Sequence, residues 1–413
     1  MRISVSTKYA LNSLRRYVRR TILSVIGIGL GCGLCLFMIG WVKGESRMML
    51  KAAAESGNGH IRIVPAEWVQ TRQNDLRLDN WRSILRELRL NEKIKRVTPH
   101  ARKEGLLAFG TRTVGVEVVG VDPAVEQTMN RLVRNLNEGH YLEEGSSGTV
   151  VVGREIARRL KVELDDELLI TVADSNGQMS SAMLRIVGIA ETGSEELDAS
   201  ICHITLSDMV KLTALNGAAE LTAVVEEPRK IERITKSLSA VLPKDCAVLT
   251  WKEIMPELAS GVKVDETWAR LTVGIVMIVV LLGIASAQLT AVLERRREFA
   301  VLSALGMRKM RLIKIMLVEG LVLGIIGGAV GLGFGIPFTY LLATRGIDFT
   351  RFYGDSGISV SNILIDSVFQ GDFGWWLFPL AFVLSLTATI LSSLYPAWYA
   401  SRTDPAVALR VEH

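Results

Sequence analysis

The chain predicts an α-helical membrane protein with four transmembrane helices and a large extracytoplasmic α+β domain, on three observations. Four uncharged apolar runs, residues 21–42, 271–293, 320–344 and 373–401, hold 22, 23, 25 and 29 residues. About 20 apolar residues at 1.5 Å each span a hydrocarbon core roughly 30 Å thick, so each run suffices. A charged stretch of 228 residues, 43–270, lies between the first two. Lys and Arg gather on alternate sides of successive runs, as the positive-inside rule requires.

The elements follow in order. Residues 1–20 carry Arg2, Lys8, Arg15, Arg16, Arg19 and Arg20 with no acid, and form a cytoplasmic basic segment. Run 21–42 is the first transmembrane helix. A cleaved signal peptide is the competing reading, but the run is too long and lacks a small-x-small cleavage site. Residues 43–270 form the extracytoplasmic domain and 271–293 the second transmembrane helix. The 294–314 loop has seven basic residues against two acids and returns to the cytoplasm. A third helix, 315–344, leads to an extracytoplasmic loop, 345–374, with two Arg against four Asp. The fourth helix, 375–398, is bounded by Trp375, Trp376, Trp398 and Tyr399 as interfacial aromatics, and 399–413 is a cytoplasmic tail. The net charge of +5 conceals this asymmetry, since the two cytoplasmic basic segments outweigh an acidic remainder. Anionic lipid, not nucleic acid, suits these arginines.

Within the domain, β-branched runs at 59–65, 113–121, 149–152, 167–172, 182–189, 200–206 and 221–225 predict strands, with Asn176-Gly177 turning a hairpin. Helices are expected at 81–90, 154–162, 208–215 and 228–241. Thr250 and Glu253 form a capping box, so a helix should start there and run into the second span. Two subdomains are expected. Cys202 and Cys246 share this domain, and their spacing leaves a disulfide open.

Catalytic and metal chemistry is absent from the pattern. No Gly-Lys dipeptide supplies a P-loop lysine, and neither H-E-x-x-H nor G-x-S-x-G occurs. His60, His100, His140, His203 and His413 are scattered singly, as surface or internally bonded residues. Cys32-x-x-Cys35 lies among membrane glycines without a second cluster to complete a zinc site. The pairs Gly27/Gly31, Gly324/Gly328 and Gly331/Gly335 read as close helix-packing positions.

The 294–314 loop is the informative segment. Residues 294–309 read as a short helix stopped by Gly306, basic at both ends and apolar between. A solvated connector does not need Phe299, Val301, Leu302, Ala304, Leu305 and Met307. So much apolar surface is expected to dock on a partner or on the membrane.

These residues resemble a family. ERRREFAVLSALGMRKM is similar to the E-R-x-x-E-I-x-x-L-R-A-L-G-A motif of FtsX/MacB-type ABC-transporter permeases. Tyr395-Pro396 through Asp404-Pro405, Ala408 and Arg410 resemble their closing P-A-x-x-A-S-x-x-D-P-x-x-A-L-R. Gly59-His60-Ile61, Gly153-Arg154-Glu155 and Arg185-Ile186-Val187-Gly188 look like permeases of lipoprotein-releasing (LolC/LolE) systems. Ser303 departs from the motif's Arg, and Asp165 stands where V-x-x-G-D has Gly. The resemblance implies a MacB-like periplasmic core domain in a bacterial inner-membrane permease subunit that is not itself an enzyme. It implies paired permease chains, as a homodimer or with a paralogue, and a separate ABC ATPase that binds ATP and Mg, so no cofactor on this chain. Glu298, Leu302, Leu305, Gly306 and Met307 then fall on the ATPase-coupling element, with Arg295, Arg296 and Arg297 at its membrane edge. Glu319, early in the third span, is a functional candidate or a structural ion-pair partner near Lys314. Lipoprotein extraction and delivery to a periplasmic carrier is the expected function, with Met48, Met49, Val262 and Val264 as cargo contacts. The alternatives are a MacB-like exporter of periplasmic peptides or drugs and an FtsX-like regulator of a cell-wall hydrolase. A two-component sensor lacks a cytoplasmic output segment.

Overall fold

The computed structural model describes residues 16–133, 136–353, 358–360 and 363–402. The closing motif from residue 403 and most of the basic N-terminal segment lie outside them. Two compact units emerge. One takes the described residues up to 45, 264–347 and those from 370; the other takes 46–263 and 348–369.

The first unit is built on four long helices: Val18–Ala53, Pro256–Glu294, Lys309–Thr344 and Leu377–Ser401. All four are long and apolar enough to cross a membrane. Three extend well past their apolar runs, because no strong breaker stands at the run ends. The first continues through Lys43–Lys51 and unwinds only at Ala54–Asn58, where Gly57 takes φ +82°. The expected continuous helix from Thr250 does not form. Its capping box is present, but the helix is only Trp251–Ile254. Pro256 disfavours helical geometry at Met255 (φ −125°, ψ 72°) and starts the second membrane helix afresh.

Val25, Ile28, Ile284, Leu323 and Ala388 bring all four helices together. Lipid tails offer no hydrophobic gain between helices, so close backbone approach must supply the contact energy. A Cβ on Gly320, Gly324 or Gly328 would lie 2.2–2.5 Å from Ser393, Thr389 or Ser385 of the fourth helix. One on Gly331 would lie 2.8 Å from Cys32 of the first. Two of the three expected pairs are thus packing positions. Of the third, Gly31 meets Val280 but Gly27 has nothing within 4 Å.

The second unit carries strands β1 (Ile61–Pro65), β2 (Ile94–Phe109), β3 (Arg112–Val121), β4 (Glu138–Gly139), β5 (Thr149–Gly153), β6 (Glu167–Ala173), β7 (Met179–Ala190), β8 (Cys202–Thr205), β9 (Glu220–Val225) and β10 (Cys246–Thr250). The antiparallel order β10-β1-β9-β2 forms one lobe. Helices Trp81–Arg89 and Ile231–Val241 cover it, burying Ile84, Leu88, Ile234 and Leu238 with Ile61, Ile63 and Leu221. From β2 the pairing runs through β3, β8, β5, β7 and β6 back to β2. These six strands therefore close into a ring, leaving no open edge within it. Its interior holds Leu107, Val118, Val150, Leu168, Ile170 and Ile186. The two expected subdomains are these two cores, strung on one sheet by β2.

β2 is the longest strand among the described residues, and residue pattern misses it, as it misses β4 and β10. β2 changes partners midway, pairing β9 through Ile94–His100 and β6 through Gly105–Ala108. Its burial therefore does not alternate along its length. The helix Pro123–Met129 was likewise not anticipated. Asp165, where the resembled V-x-x-G-D pattern has Gly, takes a left-handed φ of +67°, a conformation that glycine adopts most readily. The Asn176-Gly177 hairpin forms, with Ala173 opposite Met179. The described residues of 348–369, within the expected 345–374 loop, fold with this unit, Ile363 entering the first core. Cys202 is inside the ring core and Cys246 borders the other, so both are free thiols.

Candidate functional site

The second membrane helix ends at Glu294, and Arg295 (φ −99°, ψ 14°) breaks the backbone before a short helix, Arg296–Ala304. Gly306 stops that helix with φ +87°. Its N–H donates to the Ser303 carbonyl at 3.0 Å, and the Met307 N–H donates to the Leu302 carbonyl at 3.0 Å. That pair of bonds is a Schellman motif, and Leu302 and Met307 supply its hydrophobic contact beside the same core. The third membrane helix begins two residues later at Lys309.

One face of the short helix is anchored. Phe299 is 1% exposed and packs with Val292, Leu312, Met316, Ala397 and Ala400, and the adjacent Ala300 is buried as well. The opposite face and the turn leave Val301, Ala304, Leu305, Gly306 and Met310 exposed, among Arg296, Arg297, Arg308, Lys309 and Arg311. Leu305 is 79% exposed. Of the expected coupling residues, Leu305 and Gly306 form the free tip. Leu302 and Met307 are half-buried and hold the turn. Phe299 was expected to need an outside partner and finds it within the chain. Met310 and Arg311 join the exposed surface although the motif does not reach them.

Glu298 is half-buried and paired with two arginines. It accepts from Arg295 Nε at 3.2 Å and from Arg16 Nη1 at 3.1 Å. Glu319 is buried, and its partners include Arg295 Nη1 and Arg20 Nη2, both at 3.4 Å. Lys314, the neighbour suggested by proximity in sequence, is exposed.

The expected cargo residues separate. Val262 is buried and Met49 half-buried, both in the first core of the outer domain. They hold the fold together, so Val262 presents no free surface here. Met48 is half-buried, whereas Val264 is exposed on the second membrane helix.

The histidines of the outer domain are internally bonded. His100 contacts Glu126 Oε2 at 2.7 Å and Thr222 Oγ1 at 3.2 Å. Burial would raise the Glu126 carboxyl, but the charge and hydrogen bond of His100 outweigh it and bring it down to about 2. Burial lowers His203, which meets the Tyr141 hydroxyl at 2.8 Å, to about 4. His60 is lowered by burial to about 4 as well. Among the described residues, no cluster of His, Cys, Asp or Glu can hold a metal ion.

Four membrane helices, a large mixed α/β domain after the first, and a short helix between the second and third are the layout that the resemblance to ABC-transporter permeases implies. Residues 21–241 match the MacB-like periplasmic core domain and residues 270–405 the FtsX-like permease C-terminal region. The chain belongs to this family of FtsX-like permeases with a MacB-like periplasmic core. It is 23% identical over 345 residues to the lipoprotein-releasing system transmembrane protein LolC of Xylella fastidiosa, covering 81% of this chain and 82% of that one. LolC of Neisseria meningitidis is 23% identical over 95% of this chain and 94% of its own. The macrolide export ATP-binding/permease protein MacB of Shewanella sp. is 22% identical over the whole chain, which spans 61% of that protein. The periplasmic region of MacB from Actinobacillus actinomycetemcomitans aligns with a TM-score of 0.36 at 15% identity, over 50% of this chain and 94% of that region.

Proposed function

We propose that this chain is a permease subunit that extracts lipoproteins from the bacterial inner membrane, driven by a separate ABC ATPase docked on the Arg296–Ala304 helix and the Gly306 turn. The observation that carries the docking reading is the two-sided character of that helix. Phe299 fixes one face, while Leu305, Val301 and Met310 stand in solvent among basic side chains. Exposed apolar surface of this kind gains free energy only when a partner covers it. ATP and Mg are bound by that partner. A second permease chain, a copy or a paralogue, completes the transporter. The N- and C-termini lie in the cytoplasm and the large domain in the periplasm, consistent with the alternation of basic residues.

The lipoprotein reading is supported by similarity to LolC along nearly its full length, and cargo would pass to a periplasmic carrier. The exposed Val264, Trp268 and Leu271 on the second membrane helix offer apolar surface to acyl chains. Burial of ten methylenes would contribute about 8 kcal/mol without sequence-specific contacts. MacB-like export of peptides or drugs is the second reading, favoured by the match to the MacB-like core over residues 21–241. Affinity purification in mild detergent with mass spectrometry tests the first point, with an ABC ATPase and an acylated protein expected. Depletion separates the readings: lipoproteins held in the inner membrane support release. Normal lipoprotein sorting with new macrolide or peptide sensitivity supports export.

A further inference from the structure

Arg295 stands where the backbone between the second membrane helix and the short helix is broken, so the backbone there does not make the two rigid. Side chains do. Arg295 is 3% exposed, and its guanidinium joins Glu298 on the short helix to Glu319 on the third membrane helix. The other oxygen of Glu319 meets Arg20 on the first membrane helix. Arg20 also reaches Glu294 at 3.7 Å, and Arg16 reaches Glu298. The short helix is thereby tied to the first helix through Glu319 and Arg20, and the exposed Arg16, just ahead of that helix, adds a contact to Glu298. Buried ion pairs resist separation strongly, because parting them leaves charge desolvated and unpaired.

We propose that Arg20, Arg295 and Glu319 form a clamp that carries displacement of the Gly306 tip into the first membrane helix. Glu319 is a positioning residue: it touches neither nucleotide nor cargo, and holds two helices to the element that moves. The inference rests on the docking reading above and adds the route by which docking is felt. Conformational coupling needs connected elements with defined contacts, and this cluster joins the first helix, the third helix and the short helix through side chains.

The test uses the full-length permease reconstituted in lipid with its ATPase, and an acylated lipoprotein inserted in the same bilayer as the cargo probe. Arg295→Met with Glu319→Met removes both buried charges while keeping apolar bulk, which often preserves stability. Arg20→Gln cuts only the first-helix arm, at a partly exposed position. Both variants are expected to retain the ATPase and its KM for ATP, while cargo released per ATP hydrolysed falls at least about tenfold. Glu319→Asp, which keeps the charge, is expected to recover most of the loss. Wild-type cargo release per ATP in both variants overturns the clamp. Loss of ATPase binding in either also overturns it, since the cluster would then shape the docking surface instead of carrying load. Failure of the docking reading looks different: the wild-type permease itself would recruit no ATPase through this loop.

Discussion

Replacing Leu305 by Asp separates docking from folding, because this side chain has almost no contacts of its own to lose. At 79% exposure it stands beyond the last turn of the Arg296–Ala304 helix. A carboxylate near a helix C-terminus costs about 0.3–1 kcal/mol through the helix dipole, so the permease should insert and melt within a few degrees of wild type. Covering a leucine in an interface contributes about 1.5–3 kcal/mol, and an Asp buried there adds a desolvation cost. A loss of about 2–3 kcal/mol weakens ATPase affinity by about 30- to 150-fold. Phe299→Ala is the opposite case. Its ring is 1% exposed, so truncation should cost about 3–5 kcal/mol of stability and lower the melting temperature. Titration of labelled ATPase onto the permease in nanodiscs, beside thermal melts, reads both quantities. Wild-type ATPase affinity in Leu305→Asp, or a melting loss as large as that of Phe299→Ala, would refute the assignment of outer and inner faces.

Gly306→Pro forces φ from +87° to about −65° and deletes the N–H that bonds Ser303, so the turn should open and transport stop while membrane insertion persists, read by release assay and fractionation. Gly324→Ile should part the third and fourth helices, since Thr389 Oγ1 would lie 2.4 Å from even the Cβ; a cost of about 1–3 kcal/mol should appear as a lower melting temperature in detergent. His203 stays neutral in the fold down to about pH 4, whereas the unfolded chain takes up its proton near 6.5. The unfolded chain therefore binds more protons between these values, and stability should fall as pH falls from 6.5 to 4, by about 3 kcal/mol from this residue. A His203→Asn variant with an unchanged acid melting profile would refute that share. In a cysteine-free background, cysteines at Gln70 and Glu144 should react with an impermeant thiol reagent on spheroplasts and one at Lys309 should not; the reverse pattern would invert the topology.

What the sequence by itself determined is what short-range chemistry decides. Four uncharged runs require four helices, because a backbone in lipid must satisfy its own hydrogen bonds. Gly306 after an apolar helical stretch sets a stop, Asn176-Gly177 sets a hairpin, and Thr250 with Glu253 sets a cap, each through neighbours a few residues apart. Tertiary structure alone decided which side of the short helix is free, because Phe299 and Leu305 are equally apolar in sequence and differ only in what surrounds them. It decided that Val262 is core, that β2 joins two cores, and that six strands close into a ring. It also decided the partners of Glu319, since Arg20 lies 299 residues away in sequence and no periodicity connects them. Local backbone preferences are written in neighbouring residues, whereas burial and ion pairing depend on which distant segments the packed chain brings within a few ångströms.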